Sequence, residues 1–411
     1  MSDIKNWDDY KNSLLEGVEN TKKREQLNVL MENVHKENNR ALGQPHEVNQ
    51  TVIESTAPGS TVTSNISRYD MMFMPMVRRV MPSLLAMDLV GVQPVSGPQG
   101  IVRTMRFRYS EDTPSTEGGS TNTVTAGDEA SGQNVYEKYS FLALGGAYDD
   151  VDTLNPFEQT VYLEGNRGKP MNLDVATDRV DTYGRKLSSS WSLESQDDLD
   201  ALDGLNIEEE INQALSDEIM RELDRELIGE LTGLAGTVEN FDFANVDGRY
   251  AGEKLSALLI AFDNLSAQIA MKTRRSGATF MVVSQRLFTA MKNASNSTFV
   301  PANGGDLELR STLYVGTYGG NVGVYVDPYL ETDTILMGRK GTELDTGLIY
   351  LPYIPLSSSG VVVNPETGDN RVMMRTRYGL YKATDPANSL NDAADHYARA
   401  TVANLELGFT N

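Results

Sequence analysis

The side chains able to do chemistry are few in this chain, and their spacing does not serve it. Cysteine is absent, which removes disulfides, thiolate metal sites and thiol nucleophiles. The three histidines are His35, His46 and His396. None stands in an HExxH pattern or beside a nucleophile motif, and all lie in polar terminal stretches, so solvated surface side chains are expected. There is no GxxxxGK[ST] phosphate loop and no GxSxG elbow. Gly316, Gly319, Gly320 and Gly323 have the wrong spacing for a phosphate loop and predict a hairpin turn instead. The run Asp197, Asp198, Asp200, Asp203 with Glu209 comes nearest to a metal site. Asp198, Asp200 and Glu209 suit the first, third and last ligands of a calcium loop. Leu202, however, takes a ligand position, and Gly204 falls one place late. Acidic residues ahead of a helix also favour its positive N-terminal end, and that reading is preferred. The trio Asp149, Asp150 and Asp152 reads as a solvated turn. No catalytic residue, metal or cofactor is therefore expected. A two-carboxylate hydrolase has abundant acids here but no pair placed by a motif.

Charge narrows the partners. Against 58 acidic side chains stand 36 basic ones, a net charge of -22 over 411 residues. Gripping nucleic acid needs clustered Lys and Arg to displace counterions, and an acidic chain repels a polyanion at long range. The notable early basic groups are Arg78, Arg79, Arg103, Arg106 and Arg108. They lack the interleaved aromatics of a single-strand binder, and ion pairing between subunits with the acidic surplus is the expected role. No apolar run reaches the ~20 residues of a membrane span, and the opening MSDIKNWDDYKN has no signal-peptide core. A cytoplasmic product is expected.

The elements that would position these residues read as α+β. Residues 4–42 carry an apolar stripe at helical spacing (Trp7, Tyr10, Leu14, Val18, then Leu27, Leu30, Met31, Val34), which must be buried on the chain's own body or on a partner. Residues 43–70 are polar and predict an arm. A strand is expected over 101–109, a soft polar excursion over 110–134, and a return strand over 136–148; 149–184 is mixed. Between 207 and 234, Ile207, Ile211, Leu215, Ile219, Leu223, Leu227 and Leu231 recur every fourth residue and predict a long helix wrapping a curved surface. Further helices are expected at 253–275 and 285–293. Strands are expected at 279–283, 313–318, 322–326, 334–337, 348–353, 360–363 and 371–380.

One segment gives these parts a sharper meaning. Residues 76–100, MVRRVMPSLLAMDLVGVQPVSGPQG, read as a short helix, a buried strand and a Gly/Pro turn. The segment resembles the signature near the start of the folded part of major capsid proteins from T-even-type tailed phages. Similar segments follow in family order: SWSLESQDDL from Ser190, RYAGEKLSAL from Arg249, YVDPY from Tyr325, Met337 to Gly341, GLIYLPY from Gly347, and RTRYG from Arg375. The resemblance runs from about Met76 to Asp385.

The resemblance implies the Hong Kong 97-type capsid fold. The expected division is an N-terminal helical, scaffold-like segment (1–42) and an N-arm (43–75). A peripheral domain (76–275) follows, with an E-loop near 101–150 that reaches over a neighbour and a spine helix at 207–234. An axial domain (276–330), a return to the peripheral domain (331–385) and a C-terminal tail (386–411) complete it. The E-loop region reads as too short for the insertion domain of larger family members. The implied function is self-assembly into hexameric, and possibly pentameric, capsomers of an icosahedral or prolate head enclosing double-stranded DNA without sequence-specific binding. Portal, scaffold and decoration proteins are the implied partners, with assembly in the host bacterial cytoplasm and no membrane. Family members are often trimmed by a prohead protease after Glu in a Leu/Ile-x-Glu context; Glu16 and Glu32 fit, and Glu54, after Val52 and Ile53, is a looser match. The rival readings are an encapsulin-like nanocompartment shell, which shares the fold, and a phage tail structural protein.

Overall fold

The computed structural model describes residues 15, 21–41, 85–112, 125–128, 130, 139, 164, 170–203, 206–245, 251–294, 299–301, 313–330, 333–364, 367–383 and 392–405. Its organising element is helix α4, Ile207–Leu234, which has the bounds its periodicity predicts. Asn206 caps it by accepting a hydrogen bond from the Glu208 amide at 3.1 Å, and three glutamates in its first turn suit the positive helix end. Leu215, Ile219, Leu223, Leu227 and Leu231 are all buried, each full burial contributing ~1.5–3 kcal/mol. Ahead of α4 run helix α1 (Thr21–Ala41), the short α2 (Ala86–Leu89) and α3 (Leu193–Asp203). After it come α5 (Ala251–Thr273) and α6 (Gln285–Asn293).

Two sheets lie against α4. A seven-stranded mixed sheet joins β5 (Thr237–Asp242), β14 (Tyr397–Ala403), β10 (Thr334–Gly338), β6 (Phe280–Ser284), β9 (Val322–Asp327), β8 (Leu313–Tyr318) and β7 (Phe299–Pro301), in that order. Its central strands are buried on both faces, so they read as continuous apolar runs. Phe280, Val282, Tyr325, Leu336 and Tyr397 point into the α4 core. Met281, Val283, Val324, Val326, Ile335 and Met337 point into a second core under α5 and α6. The second sheet centres on β11 (Leu348–Ser358) and β13 (Asn370–Lys382); β1 (Gly91–Val92) pairs with β11, and both β4 (Tyr183–Trp191) and β12 (Val362–Val363) pair with β13. Leu348, Tyr350, Val372, Met374 and Tyr378 face the same α4 core.

Helix α1 buries its stripe on the chain's own body, with Leu27, Leu30 and Met31 in the α4 core. Polar clamps fix its position: Lys23 pairs with Asp88 at 3.1 Å, and Gln26 donates to the Val92 carbonyl. Asn33 donates to the carbonyls of Val95 and Tyr353. Of the two burial sites expected for this stripe, the chain's own body is the one seen, and the opposite face of α1 is exposed. Of residues 4–20, only Leu15 lies within the described residues.

Three corrections follow. The strand β2 (Gln99–Tyr109) pairs with β3 (Met171–Asp181) in unbroken antiparallel register, not with 136–148. Of that expected return strand only Tyr139 is described, and it lies in a turn. The C-terminal segment is no tail: β14 sits inside the seven-stranded sheet between β5 and β10. The same sheet draws β5 and β10 from outside 276–330, because strand pairing joins segments far apart in sequence. The turn at Gly319 and Gly320 is the expected hairpin; both have positive φ, a conformation open to glycine.

Leu231 has no exposed surface. Leu231→Ala is expected to cost ~2–5 kcal/mol. This reads as a lower urea midpoint at unchanged slope, followed by the fluorescence of Trp191, which lies in the same core.

Candidate assembly interface

The β2–β3 ribbon is rooted on the second sheet. At its base Val102 and Val180 are buried with Val95, Ile349 and Leu351. Thr182 donates to Pro98 through both its amide and its hydroxyl, and the Tyr381 hydroxyl donates to Asp178. Beyond the root, register separates two faces. Ile101, Arg103, Phe107 and Tyr109 lie opposite Arg179, Thr177, Leu173 and Met171 on one face, along with Val175. On the other face Arg108 forms an ion pair with Asp174 at 3.2 Å.

The first face is largely apolar and solvent-exposed up to Phe107: Ile101, Phe107, Met171, Leu173 and Val175 are each about half exposed (51, 50, 51, 54 and 50%), while Tyr109 is buried against Tyr139. Near its base Arg103 and Arg179 are also exposed. A contiguous exposed apolar patch rimmed by charge marks an interaction surface rather than a solvated one. The period-two pattern Met171, Leu173, Val175 could have located the second strand, but the polar residues between them obscured it.

The arginines expected at subunit contacts separate. Arg103 is exposed, while Arg108 pairs within the chain with Asp174 and donates to the Gly127 carbonyl. Arg106 lies on β2, but its side chain falls outside the described residues, as do Arg78 and Arg79 entirely. Glu32 lies on α1, and Glu16 and Glu54 fall outside the described residues. Asp197, Asp198, Asp200 and Asp203 are part of α3, whose helical backbone cannot wrap a calcium ion. Among the described residues no acidic or histidine cluster suits a metal, and no helix is long and apolar enough to cross a membrane. The Asp149, Asp150, Asp152 trio and His46 lie outside the described residues, as does the side chain of His35.

His396 corrects the surface assignment: it is buried, and its Nδ1 has no hydrogen-bond partner. It lies where the two sheets meet. Asp345 there accepts from Arg339 at 2.8 and 3.2 Å and from Arg275. Lys340 donates to the Met87 carbonyl at 2.7 Å, and Glu343 accepts from the Val92 amide at 2.7 Å. Gly91 must be glycine at this joint, since a Cβ would meet the Glu343 carbonyl oxygen at 2.0 Å. Burial by itself would raise the Asp345 carboxyl; Arg339 and Arg275 hold it below its ordinary range. Burial, reinforced by Arg339 and Arg275, depresses His396 to about 4 despite Asp345 and Asp392.

A rooted ribbon with one exposed apolar face, on a body held by interior cores, suits a structural subunit. The family described as major capsid protein Gp23 matches residues 66–404, and the chain belongs to that family, a structural capsid family of tailed phages rather than an enzyme family. The major capsid protein of Vibrio phage KVP40 is 27% identical over 410 residues, covering 80% of this chain and 77% of the relative. That of Enterobacteria phage T4 is 25% identical over 448 residues, covering 89% and 83%. Among solved structures, the capsid of Myoviridae phage XM1 is similar at 12% identity with a TM-score of 0.43, covering 76% of this chain and 89% of that one. An encapsulin complex from Synechococcus elongatus has 12% identity and a TM-score of 0.40, covering 86% and 95%.

The buried His396 gives a pH dependence of stability. Its folded value of about 4 lies below its ordinary ~6.5, so between these values the unfolded chain binds the extra proton and stability rises with pH. Acidifying through this window is expected to remove up to about 3 kcal/mol. His396→Gln should flatten that slope in urea titrations taken at successive pH values.

Proposed function

We propose that this chain is the principal shell subunit of a tailed-phage head, with the Hong Kong 97-type fold, assembling into hexameric capsomers around double-stranded DNA. The observation that carries the reading is the exposed apolar face of the β2–β3 ribbon, which contact with a neighbouring subunit would cover. Family membership supplies the capsid context. In this reading α4 is the spine, the ribbon is the E-loop, and the seven-stranded sheet carries the axial loops. Residues 43–75 form the arm, and Arg103 pairs with acidic groups across the contact. Portal, scaffold and decoration proteins are its partners in building the head, and assembly takes place in the host cytoplasm. The net charge of -22 keeps the packaged polyanion from adhering.

Assembly then needs no chemistry. Each ribbon contact is small, and a closed lattice multiplies it. Phe107→Asp with Leu173→Asp is expected to leave urea stability within ~0.5 kcal/mol, since both side chains are half exposed. The same pair should abolish closed shells under negative-stain electron microscopy. Normal shells from the double variant would refute the ribbon's role.

The candidate cleavage sites differ in access. A protease binds its substrate extended, whereas Glu32 follows Leu30 and Met31, which have no exposed surface in the docked α1. Cutting there requires α1 to leave the body first. A glutamyl endoprotease should therefore cut after Glu32 slowly in the folded chain. Leu30→Ala with Met31→Ala should speed it about tenfold or more, as the open form becomes more populated.

A further inference from the structure

We propose that the outer face of the second sheet is a basic docking surface, and that it takes the acidic α3 and the start of α4 from a second copy of this chain. The inference rests on the self-assembly reading above and adds a contact separate from the ribbon. Strands β4, β11 and β13 hold no Asp or Glu, although the chain carries 58. Register puts Arg371, Arg375 and Arg377 of β13 opposite Ser190, Lys186 and Gly184 of β4. All lie on the face turned away from α4, since Val372, Met374 and Tyr378 between them point into the α4 core. Elsewhere guanidiniums meet carboxylates: Arg185 takes Glu222 and Glu226, Arg286 takes Asp333, and Arg275 and Arg339 share Asp345. On this face Arg371 donates to the Ser188 hydroxyl at 3.2 Å, and Arg377 lies over the Tyr353 ring at 5.3 Å. Lys186 and Arg371 are exposed. Hydroxyls and a ring leave the cationic charge available to an anion from outside.

The matching surface begins where β4 ends. Residues 192–220 contain ten acidic side chains and no basic one. Among them Glu194, Asp197 and Asp198 of α3, with Glu209 and Glu210 of α4, are exposed. Gln196 fixes α3 beside the sheet by accepting from Trp191 at 3.2 Å and from Asn370 at 3.0 Å. Base and acid are thus presented side by side on one rigid body. Every copy carries both, so the basic face of one can meet the acidic helix of the next, and a closed lattice multiplies the contact. A single exposed ion pair contributes little. A row of them fixes orientation and rejects mispaired approaches, in which like charges meet. A nucleic acid suits the face less well. The adjoining acidic stretch would repel its phosphates, whereas a second copy engages both surfaces at once.

Two charge reversals test the pairing. Lys186→Glu with Arg371→Glu, and separately Asp197→Lys with Asp198→Lys, change exposed side chains and should leave the urea midpoint unchanged. Each pair is expected to cut the yield of closed shells at least tenfold under negative-stain electron microscopy. The two reversals move the net charge in opposite directions, so a loss common to both is no effect of total charge. All four substitutions in one chain again oppose acid to base between copies and should restore shells. Normal shells from either reversal would overturn the pairing and leave the ribbon contact standing. So would a four-fold variant that keeps its urea midpoint and forms no shells. Retention of a short DNA duplex by the unmodified chain, lost on reversal of Lys186 and Arg371 while shells form normally, would assign the face to nucleic acid instead. Failure of the unmodified chain to form shells would overturn the self-assembly reading and the pairing with it.

Discussion

Everything in this fold depends on where the apolar stripe of α4 is buried. The helix could have closed on one sheet; instead it faces two. Phe280, Leu336 and Tyr397 reach it from the seven-stranded sheet, and Tyr350, Met374 and Tyr378 from the other. A single core therefore fixes the two sheets relative to each other, and α1 completes it. The opposite faces have separate cores, one under α5 and α6 and one at the ribbon's root. The ribbon's aim is set by Val102 and Val180 resting on β11, and β11 is set in turn by α4. A subunit that must repeat the same contacts around a shell needs this kind of rigid reference.

Apolar packing alone would let the two sheets slide, and the joint between them is polar. Asp345 lies between two guanidiniums, Arg339 and Arg275, while Glu343 accepts from the amide of Val92, the last residue of β1. Arg339 is almost completely buried, as is His396 beside it. Charges in such a place are costly unless paired, and breaking one pair strands its partner. That cost confers direction: only one relative placement of loop 339–347, the Ala393–His396 turn and β1 satisfies all of these groups. The neutral His396 fits this scheme, since burial beside Arg339 and Arg275 disfavours a further cation there.

The sequence made the elements legible far better than their partners. α4 and α6 keep their expected bounds because periodicity and caps are local properties: Asn206 and Ser284 each accept from the first turn of the helix they precede. The hairpin at Gly319 and Gly320 was readable for the same reason. Pairing is not local. Nothing in YARATVA from Tyr397 says that it lies between β5 and β10. The Met171–Asp181 strand is polar on alternate positions and solvent-facing on the rest, so it lacked the burial signal that made 136–148 look like a strand. The burial of His396 is likewise a consequence of β14 entering the sheet, and the candidate interface became visible only when register put Phe107 beside Leu173. The capsid resemblance was legible because it rests on ordered short segments, which survive where overall identity is near 25%.

The ribbon's exposed face shows how a shell subunit can remain soluble before it assembles. Five half-exposed apolar side chains on a two-stranded ribbon would normally invite aggregation. Here they share a face with Arg103 and Arg179, on a chain whose net charge is -22. Like-charged bodies repel at long range. In the assembly proposed above, the basic base of the ribbon would orient its approach to an acidic surface, and burial of the apolar face would then hold the contact. Because the ribbon is rooted at one end, its free face can meet a neighbour without disturbing the α4 core. Stability of the monomer and strength of the contact are thereby separated into different residues, which allows weak individual contacts to coexist with a firmly folded subunit.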